Sequence, residues 1–480
     1  MRRESLTLAL VLGAYFALQV LLRIWIGTGL QLDEAELVMR AQEFHWGYGP
    51  QLPLFNWLQF LTFKLMGVNV AALAIAKNAC LWLGYLLAYL ALARFVQPGR
   101  AAIATVGLIL LPEIAWEAQR TLSHSVALIL STSAFLFALF GAARNGRWRD
   151  WIALGVIIGF GGLSKYNFWI LPFSTALALW ILPPPRGWVA LSWGRIGAAA
   201  MAALAILAGP VLWIAQHPDI AFASASKIRR SERAVLDLPF LGGVAETLQG
   251  YLLALILAGL IALLARLWPR GGAPRPLAEA NAVWLRKLLL AISLIGCALI
   301  AVMMGVADAT RVTPRWLIPL AMPGALGLML WALEAGTRRA GQVIATASGI
   351  VGIAVTVGIF VVFGLKSSRL SYDFAPLRAE VSGILAETAS PGIERLTGAG
   401  WLMGSLALLE PDWPVKRPPP LGPALAPASR IVQLRASDDG AAGTPPQPAA
   451  VLEQSRLIRV PDRIDPREGM GVSLEVWRLP

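Results

Sequence analysis

The stretch SLTLALVLGAYFALQVLLRIWIG, residues 5–27, decides the fold class. It is an apolar run long enough to cross the hydrocarbon core of a bilayer, which takes about 20 residues as a helix. The run is longer than the core of a secretory signal peptide and lacks a clear small-residue cleavage site, so we expect it to remain as an anchor. Comparable runs recur down to about residue 366. Most of the chain is therefore predicted to be one helical membrane bundle.

The composition agrees with a membrane protein. Of the 480 residues, 57% are hydrophobic and only 14% are charged, whereas soluble proteins average about 25% charged residues. The two cysteines, Cys80 and Cys297, both fall inside apolar runs. A disulfide framework and a cysteine-rich metal site are therefore excluded.

Eleven apolar segments can be placed along the chain, and their connections differ strongly in charge. With the N-terminus in the cytoplasm, nearly the whole formal net charge of +13 falls on cytoplasmic connections, as the positive-inside rule requires. Anionic lipids would attract these cations, so the basic composition does not indicate a nucleic-acid partner. We predict an all-α polytopic protein with about eleven transmembrane helices, an inner N-terminus and an outer C-terminus. The segments are 5–27, 69–93, 101–116, 121–143, 150–163, 166–184, 195–215, 246–267, 285–306, 314–334 and 341–365.

Two long connections and the tail carry most of the polar sequence on the outer side. We assign residues 1–366 to a transmembrane domain, with a first outer loop at 28–68 and a second at 216–245. The first loop has apolar residues at helical spacing on both sides of a Gly-Tyr turn, which predicts two amphipathic helices. The tail, 367–480, has balanced charge, proline-rich stretches and the strand-like ending GVSLEVWRL. It is predicted to be a small outer-side domain of α/β type with a flexible interruption.

Two adjacent carboxylates, Asp33 and Glu34, stand just beyond the first apolar segment. Such a pair could supply a general base and a second contact to a substrate or a metal. It could instead cap a helix, because acidic side chains complement the positive N-terminal end of the helix dipole. The local pattern alone favours capping, and only the surrounding context changes that balance.

Four stretches resemble the GT-C membrane glycosyltransferases, the group that includes the protein O-mannosyltransferases and the lipid A aminoarabinose transferase. The most specific is LDEAELVMRAQEFHWGYGPQLPLFNWLQFLTFKLMG, residues 32–67, in which an acidic pair opens the loop and a Gly-Tyr turn precedes the second helix. The supporting stretches follow in the family's order. They are GFGGLSKYNFWILP at 159–172, GPVLWIAQHPDIAFAS at 209–224 and, more weakly, RVTPRWLIPLAMP at 311–323.

The resemblance implies an enzyme that transfers a sugar from a polyprenyl-phosphate carrier on the non-cytoplasmic face. Asp33 matches the family's catalytic aspartate and would take the proton from the acceptor as it attacks the anomeric carbon. Glu34 would orient the donor or the acceptor. Lys165 would contact the donor phosphate, and its alternative role is that of a lysine snorkelling from an apolar helix end. Lipids, glycans and proteins all stay open as acceptors.

Other polar residues on the outer side are weaker candidates. Four arginines could share the phosphate, although each could be an ordinary interfacial arginine: Arg229, Arg230, Arg311 and Arg315. Five further residues could contact substrate, although a helix-end histidine could equally be structural: His45, Tyr48, Glu113, His124 and His217. All three histidines of the chain belong to this second set.

The chain also departs from the family pattern. Many relatives carry a basic residue before a proline pair in the first-loop turn, whereas this chain has Gln51, Leu52 and Pro53. One basic contact to phosphate or to a metal-associated group is therefore missing there. Near the start of the fourth segment, where relatives often place an aspartate, the available polar residues are His124 and Glu113. No cluster of ligands requires a metal, and a divalent ion stays open as a cofactor.

A transporter or flippase for a lipid-linked sugar is the rival function. It needs no general base, but it would be expected to contain internal repeats and broken helices with polar groups at the membrane midplane. The sequence has no such halves. A structural membrane subunit would leave the acidic first loop unexplained. We therefore predict a cell-envelope glycosyltransferase, surrounded by the lipids of a bacterial inner membrane, with its site on the periplasmic face.

Overall fold

The computed structural model describes residues 3–121, 123–185, 192–223, 238, 240–268, 280–309, 311–334, 338–387, 393–411, 413, 430–436, 451–465 and 469–478. Most of these residues are helical. The helices of the first half are α1 (Arg3–Ile26), α2 (Leu32–Arg40), α3 (Leu54–Met66), α4 (Val70–Leu92), α5 (Pro98–Val106), α6 (Ala118–Arg120), α7 (His124–Asn145), α8 (Trp148–Gly162) and α9 (Ile170–Ile181). Those of the second half are α10 (Trp193–Gln216), α11 (Pro218–Ala221), α12 (Leu241–Leu267), α13 (Ala280–Val306), α14 (Ile318–Leu333), α15 (Arg338–Ile359), α16 (Ala375–Glu387) and α17 (Gly400–Leu409). The strands are β1 (Ile393–Gly398), β2 (Arg430–Ala436), β3 (Val451–Val460) and β4 (Met470–Arg478).

Eight of the described helices are long and apolar enough to cross a membrane, namely α1, α4, α7, α10, α12, α13, α14 and α15. A ninth span results if Pro98–Leu110 and Glu113–Arg120, which are bent by 78° against each other, count as one. The protein is thus a polytopic membrane protein, as predicted. The expected number of eleven spans also counted α8 and α9, which have 15 and 12 residues. Both are shorter than the roughly 20 residues that cross the hydrocarbon core, because a non-helical break separates them.

The described residues divide into two compact units. The first comprises Met1–Phe16, His45–Phe55 and Asn78–Val355 and contains most of the helical bundle. In this unit α8 packs against α7 and α10, and α14 packs against α12 and α13. Small residues let the helices approach closely: a Cβ on Gly155 would lie only 2.0 Å from the carbonyl oxygen of Ala199.

The second unit comprises Ala17–Phe44, Asn56–Lys77 and Thr356–Pro480. It contains the end of α1, α2, α3, the start of α4, and the C-terminal helices and sheet. The sheet has the strand order β1-β2-β4-β3, with β1 and β2 parallel and the other pairs antiparallel. The strand-like ending predicted from the sequence forms β4, and the C-terminal region is a small mixed sheet with helices. Most of the predicted proline-rich interruption lies outside the described residues.

Candidate active site

Residues 28–68, for which the sequence predicts two helices, contain α2 and α3. The first turn of α2 contains both members of the acidic pair, Asp33 and Glu34. The two side chains differ in burial, because Glu34 lies on the covered side of α2 with Ala35, Leu37 and Val38. Asp33 is only partly covered. Two neighbouring carboxylates therefore have different access to a substrate.

Glu34 is occupied by hydrogen bonds on both carboxylate oxygens. Arg23 donates to Oε1 from Nε and to Oε2 from Nη2, each at 2.8 Å. The backbone N–H of Gln31 also donates to Oε2, at 3.1 Å, which closes the first turn of α2. Further Arg23 N–H groups donate to the carbonyl oxygens of Gly27 and Gly29, each at 2.8 Å. The capping interpretation therefore holds for Glu34, and the same contacts fix the turn between α1 and α2.

The surroundings of Glu34 keep it ionised. Burial by itself would raise the pKa of the Glu34 carboxyl, but the Arg23 guanidinium, with smaller effects from Lys77 and the Gln31 N–H, holds this pKa below its ordinary value. A carboxylate that is charged, buried and doubly bonded to an arginine is poorly placed to receive a proton from a substrate. Glu34 fits a positioning role better than that of a base.

Asp33 interacts electrostatically with Lys77 of α4, a residue that sequence reasoning missed. Lys77 is 7% exposed and also interacts electrostatically with Glu34 and Arg23. A buried cation thus lies close to the acidic pair. The available signal was its place about two turns inside an apolar helix, where a lysine cannot readily snorkel and indicates function by default. A partly exposed carboxylate beside such a cation can accept a proton from a hydroxyl group.

Lys165 lies in the first unit, in the break between α8 and α9. Its backbone is extended, with φ −160° and ψ 152°, so the chain cannot continue α8 through this residue. The side chain is partly exposed, and Nζ donates to Ser125 Oγ of α7 at 2.8 Å. The gap between the predicted segments 150–163 and 166–184 is thus a non-helical break, and it presents an ammonium group that could bind an anion.

Two further candidates gather around Lys165. Glu113 interacts electrostatically with both Lys165 and Arg315, which places these two cations in the neighbourhood of one carboxylate. The side chain of Asn167 donates to the carbonyl oxygen of Trp316 at 2.6 Å. This bond links the turn after Lys165 to the turn that carries Arg315. The first unit therefore brings together two predicted phosphate contacts that lie far apart in sequence.

A second polar group in the first unit surrounds Tyr48. Its hydroxyl accepts the backbone N–H of His45 at 3.0 Å, and the two rings meet edge to face. A Cβ on Gly47 would lie 2.1 Å from the ring of Trp213, which stacks on His217 with a centroid distance of 4.8 Å. The packing of the first loop against the end of α10 thus gathers three predicted substrate contacts.

The remaining candidates are less closely connected. His124 begins α7, is buried and packs edge to face against Phe55, as a structural histidine would. Arg311 is exposed. Arg229 and Arg230 lie outside the described residues.

The described part of the chain contains no group of three or more His, Cys, Asp and Glu side chains arranged to hold a metal ion. The divalent ion left open by the sequence therefore gains no ligand set from these residues. The basic residues described above offer another way to neutralise a phosphate.

A family model and two curated proteins are similar to this chain. Residues 49–213 match the family described as dolichyl-phosphate-mannose-protein mannosyltransferase. Two relatives from Rhizobium johnstonii are each 32% identical, the lipopolysaccharide core galacturonosyltransferases RgtB and RgtA. The alignments cover 86% and 87% of this chain and 83% of each relative.

Solved structures of low sequence identity share the fold. The crystal structure of ArnT from Cupriavidus metallidurans bound to undecaprenyl phosphate superposes with a TM-score of 0.59 at 14% identity. The apo state of the same protein gives a TM-score of 0.57 at 13% identity. Each comparison covers 98% of this chain and 97% of the other. The likeness therefore extends over the helical bundle and the C-terminal region.

Proposed function

We propose that this chain, which belongs to the GT-C family of membrane glycosyltransferases, transfers galacturonic acid to the core of lipopolysaccharide. It is an enzyme that takes its sugar from a lipid-phosphate carrier of the polyprenyl type. The proposed sugar and acceptor are supported by the two relatives, which carry this activity in their names and match most of the chain. Membership of the family also decides between an enzyme and the rival transporter.

In the proposed reaction a hydroxyl group of the acceptor attacks the anomeric carbon of the donor sugar. The bond from that carbon to the phosphate oxygen breaks, and the polyprenyl phosphate leaves with the electron pair. The acceptor proton passes to the carboxylate of Asp33 as the new glycosidic bond forms. Attack from the side opposite the leaving group inverts the anomeric configuration. A positioned general base contributes about 10²–10⁴-fold to the rate of such a step.

The contrast within the acidic pair is the observation that carries this assignment. Glu34 is buried and holds Arg23 with both oxygens, whereas Asp33 is partly exposed and interacts with Lys77. An acceptor can reach the partly exposed Asp33, whereas the carboxylate oxygens of Glu34 are already bonded to Arg23. We therefore assign the base role to Asp33 and an orienting role to Glu34.

We assign the departing phosphate to Lys165 and its neighbour Arg315. A galacturonosyl donor carries two anionic groups, the phosphate and the carboxylate of the sugar, so two cations in one neighbourhood suit it. The electrostatic interaction of both with Glu113 supports this division. Stabilising the charge that develops on a leaving phosphate is among the largest catalytic effects available to an enzyme. Further proposed contacts to donor or acceptor are Arg229, Arg230, Arg311, His45, Tyr48, His124 and His217.

For the membrane arrangement we propose eleven spans, with α8 and α9 added to the nine candidates, in a bacterial inner membrane. The N-terminus is cytoplasmic, and residues 367–480 form a periplasmic domain after a membrane domain of 1–366. Reporter fusions test this proposal, because they should place residues 145 and 272 in the cytoplasm and residues 230 and 400 outside. An outward signal at 145 or 272 would contradict it.

The direct test uses the purified full chain in detergent. It is given polyprenyl-phosphate galacturonate or polyprenyl-phosphate mannose, together with lipopolysaccharide whose core lacks galacturonate. Mass spectrometry should find the uronic acid on the core with the first donor and little transfer with the second. The Asp33→Asn variant is the control for enzymatic transfer. Transfer from the mannose donor alone, or to an acceptor other than the core, would refute the proposed substrates.

A further inference from the structure

The turn that leads from α1 into α2 is held by residues from the C-terminal region. Arg463 Nη1 donates to the carbonyl oxygen of Ile26 at 3.3 Å, and it would lie 2.6 Å from a Cβ on Gly27. Gly27 has φ +139°, a conformation that other residues rarely adopt. A Cβ on Gly29 would lie 2.1 Å from the carbonyl oxygen of Arg369. Two segments that are distant in sequence therefore press against this turn.

The two segments are bonded to each other. Ser371 Oγ donates to Asp462 Oδ2 at 2.7 Å, and the backbone N–H of Arg463 donates to the carbonyl oxygen of Ser371 at 3.0 Å. Asp462 Oδ1 accepts the backbone N–H groups of Ile464 and Asp465 at 2.7 and 3.2 Å. Ser371 and Asp462 are each 1% exposed. A buried hydrogen-bond network thus fixes the segment from which Arg463 reaches Ile26.

Helix α17 makes the second connection, to α2 itself. A Cβ on Gly404 would lie 2.5 Å from both Cα and Cβ of Ala35, so the two helices are in backbone contact at this point. Next to this contact, Met39 lies 3.7 Å from the Cβ position of Gly400. Nearly all of α17 is buried. Ala35 is two residues from Asp33 on the same short helix, so a shift of α17 would carry the carboxylate with it.

We propose that the C-terminal region is a positioning element for Asp33. Arg463 fixes the turn before α2, and Gly404 sets how closely α2 lies against α17. The proposal rests on the base role of Asp33 in the proposed function, and it requires no contact between the C-terminal region and substrate. A small displacement of a general base lowers the rate of the chemical step, while binding is little affected.

The first test exchanges one methyl group at matched positions. Gly404→Ala must push α17 and α2 apart, whereas Gly383→Ala on α16 meets nothing within 4 Å and gains the same helix propensity. We expect the kcat of Gly404→Ala to fall about 10- to 100-fold, with little change in the KM for donor or acceptor and with some loss of Tm from overpacking. Gly383→Ala should behave as wild type. A wild-type kcat for Gly404→Ala, or a loss of kcat/KM that comes from a higher KM at unchanged kcat, would overturn the positioning role.

The second test concerns the arginine contact and does not depend on helix packing. Arg463→Met removes the donor to Ile26 and should lower kcat, and Arg463→Lys should restore most of it because an ammonium group can still donate. Equal kcat values for Arg463→Met and wild type would remove Arg463 from the proposal.

Asp33→Asn distinguishes a failure of the positioning proposal from a failure of the proposed base role of Asp33. If Asp33→Asn is inactive while Gly404→Ala and Arg463→Met are fully active, only the positioning proposal fails; if Asp33→Asn stays active, both fail.

Discussion

The acidic start of α2 and the basic break after α8 carry the proposed chemistry, and they are built differently. Asp33 stands on a short helix whose charged neighbours include Arg23 at the end of α1 and Lys77 on α4. Lys165 stands on an extended residue between two helices, and its Nζ donates to Ser125. The first region depends on long-range packing and buried charge. The second depends mainly on local backbone conformation.

This difference separates the expected consequences of substitution. Changes near the start of α2 should affect both stability and the chemical step, because buried charges lose their partners there. Changes at the break should affect donor binding and leave the fold intact, because a partly exposed ammonium group can be removed at little structural cost. Four substitutions test the comparison.

The largest effect is expected at Asp33. Asp33→Asn keeps the shape of the side chain but cannot accept the proton, so kcat should fall about 10²–10⁴-fold, or roughly 3–5 kcal/mol. Single-turnover assays with a purified lipid donor measure the chemical step directly. Glu36→Gln is the control, since Glu36 lies on the same helix and pairs with Arg40 at 2.8 Å near the surface. Near-normal turnover of Asp33→Asn would reduce Asp33 to a helix cap.

Glu34 should matter most for stability. Glu34→Ala leaves the Arg23 guanidinium buried without its anion, which costs about 3–5 kcal/mol in unfolding free energy. Glu36→Ala breaks a partly exposed i,i+4 pair and should cost less, about 1 kcal/mol at most. Thermal unfolding of both variants in one detergent gives the comparison. Equal losses of unfolding free energy would mean that the buried pair Arg23–Glu34 contributes no more than the partly exposed pair Glu36–Arg40.

The same pair predicts how stability depends on pH. Because the pKa of Glu34 is lower in the folded protein than its ordinary value of 4.5, its contribution is complete above that value. It is lost as the pH falls through the lowered folded value. Wild type should therefore lose more stability than Glu34→Ala between neutral and acidic pH. Parallel pH profiles of Tm for the two proteins would contradict this.

Sequence patterns were sufficient to predict features that depend on residues close together in the chain. The apolar runs, the two helices within residues 28–68, the break at Lys165 and the final strand follow from periodicity and from residues that interrupt it. The number of spans was less predictable. The predicted segment 150–163 already matched the short α8, but apolar character alone does not decide whether a helix of only 15 residues crosses the bilayer.

The partners of the acidic pair could not be predicted. Arg23 lies in the last turn of α1 and Lys77 on α4, and only packing brings Lys77 close to Asp33 and Glu34. Capping and catalysis looked like competing explanations of Asp33 and Glu34 because the local pattern treats the two residues alike. Burial assigns capping to Glu34 and leaves the base role as a proposal for Asp33.

A smaller effect is expected at Lys165. Lys165→Met keeps the stem and its packing but removes the charge, so donor affinity should fall by about 1.5–3 kcal/mol, or roughly 10- to 150-fold. Titration with a polyprenyl-phosphate donor in detergent measures this change. Lys64→Met is the control, since Lys64 is an exposed lysine on α3 that lies over Phe60. Equal donor affinities for Lys165→Met and wild type would leave Lys165 as an interfacial anchor.

The smallest effect is expected at Ser125, which accepts a hydrogen bond from the Lys165 ammonium group at 2.8 Å. If this bond orients the lysine, Ser125→Ala should weaken donor binding by about 0.5–1.5 kcal/mol, or roughly 2- to 10-fold. Ser131→Ala, a buried position further along α7, should leave binding unchanged. In the Lys165→Met background, Ser125→Ala should have no further effect, because the serine would act only through the lysine. Independent, additive losses would instead mean that Ser125 contacts the donor itself, and the break would then supply two binding groups.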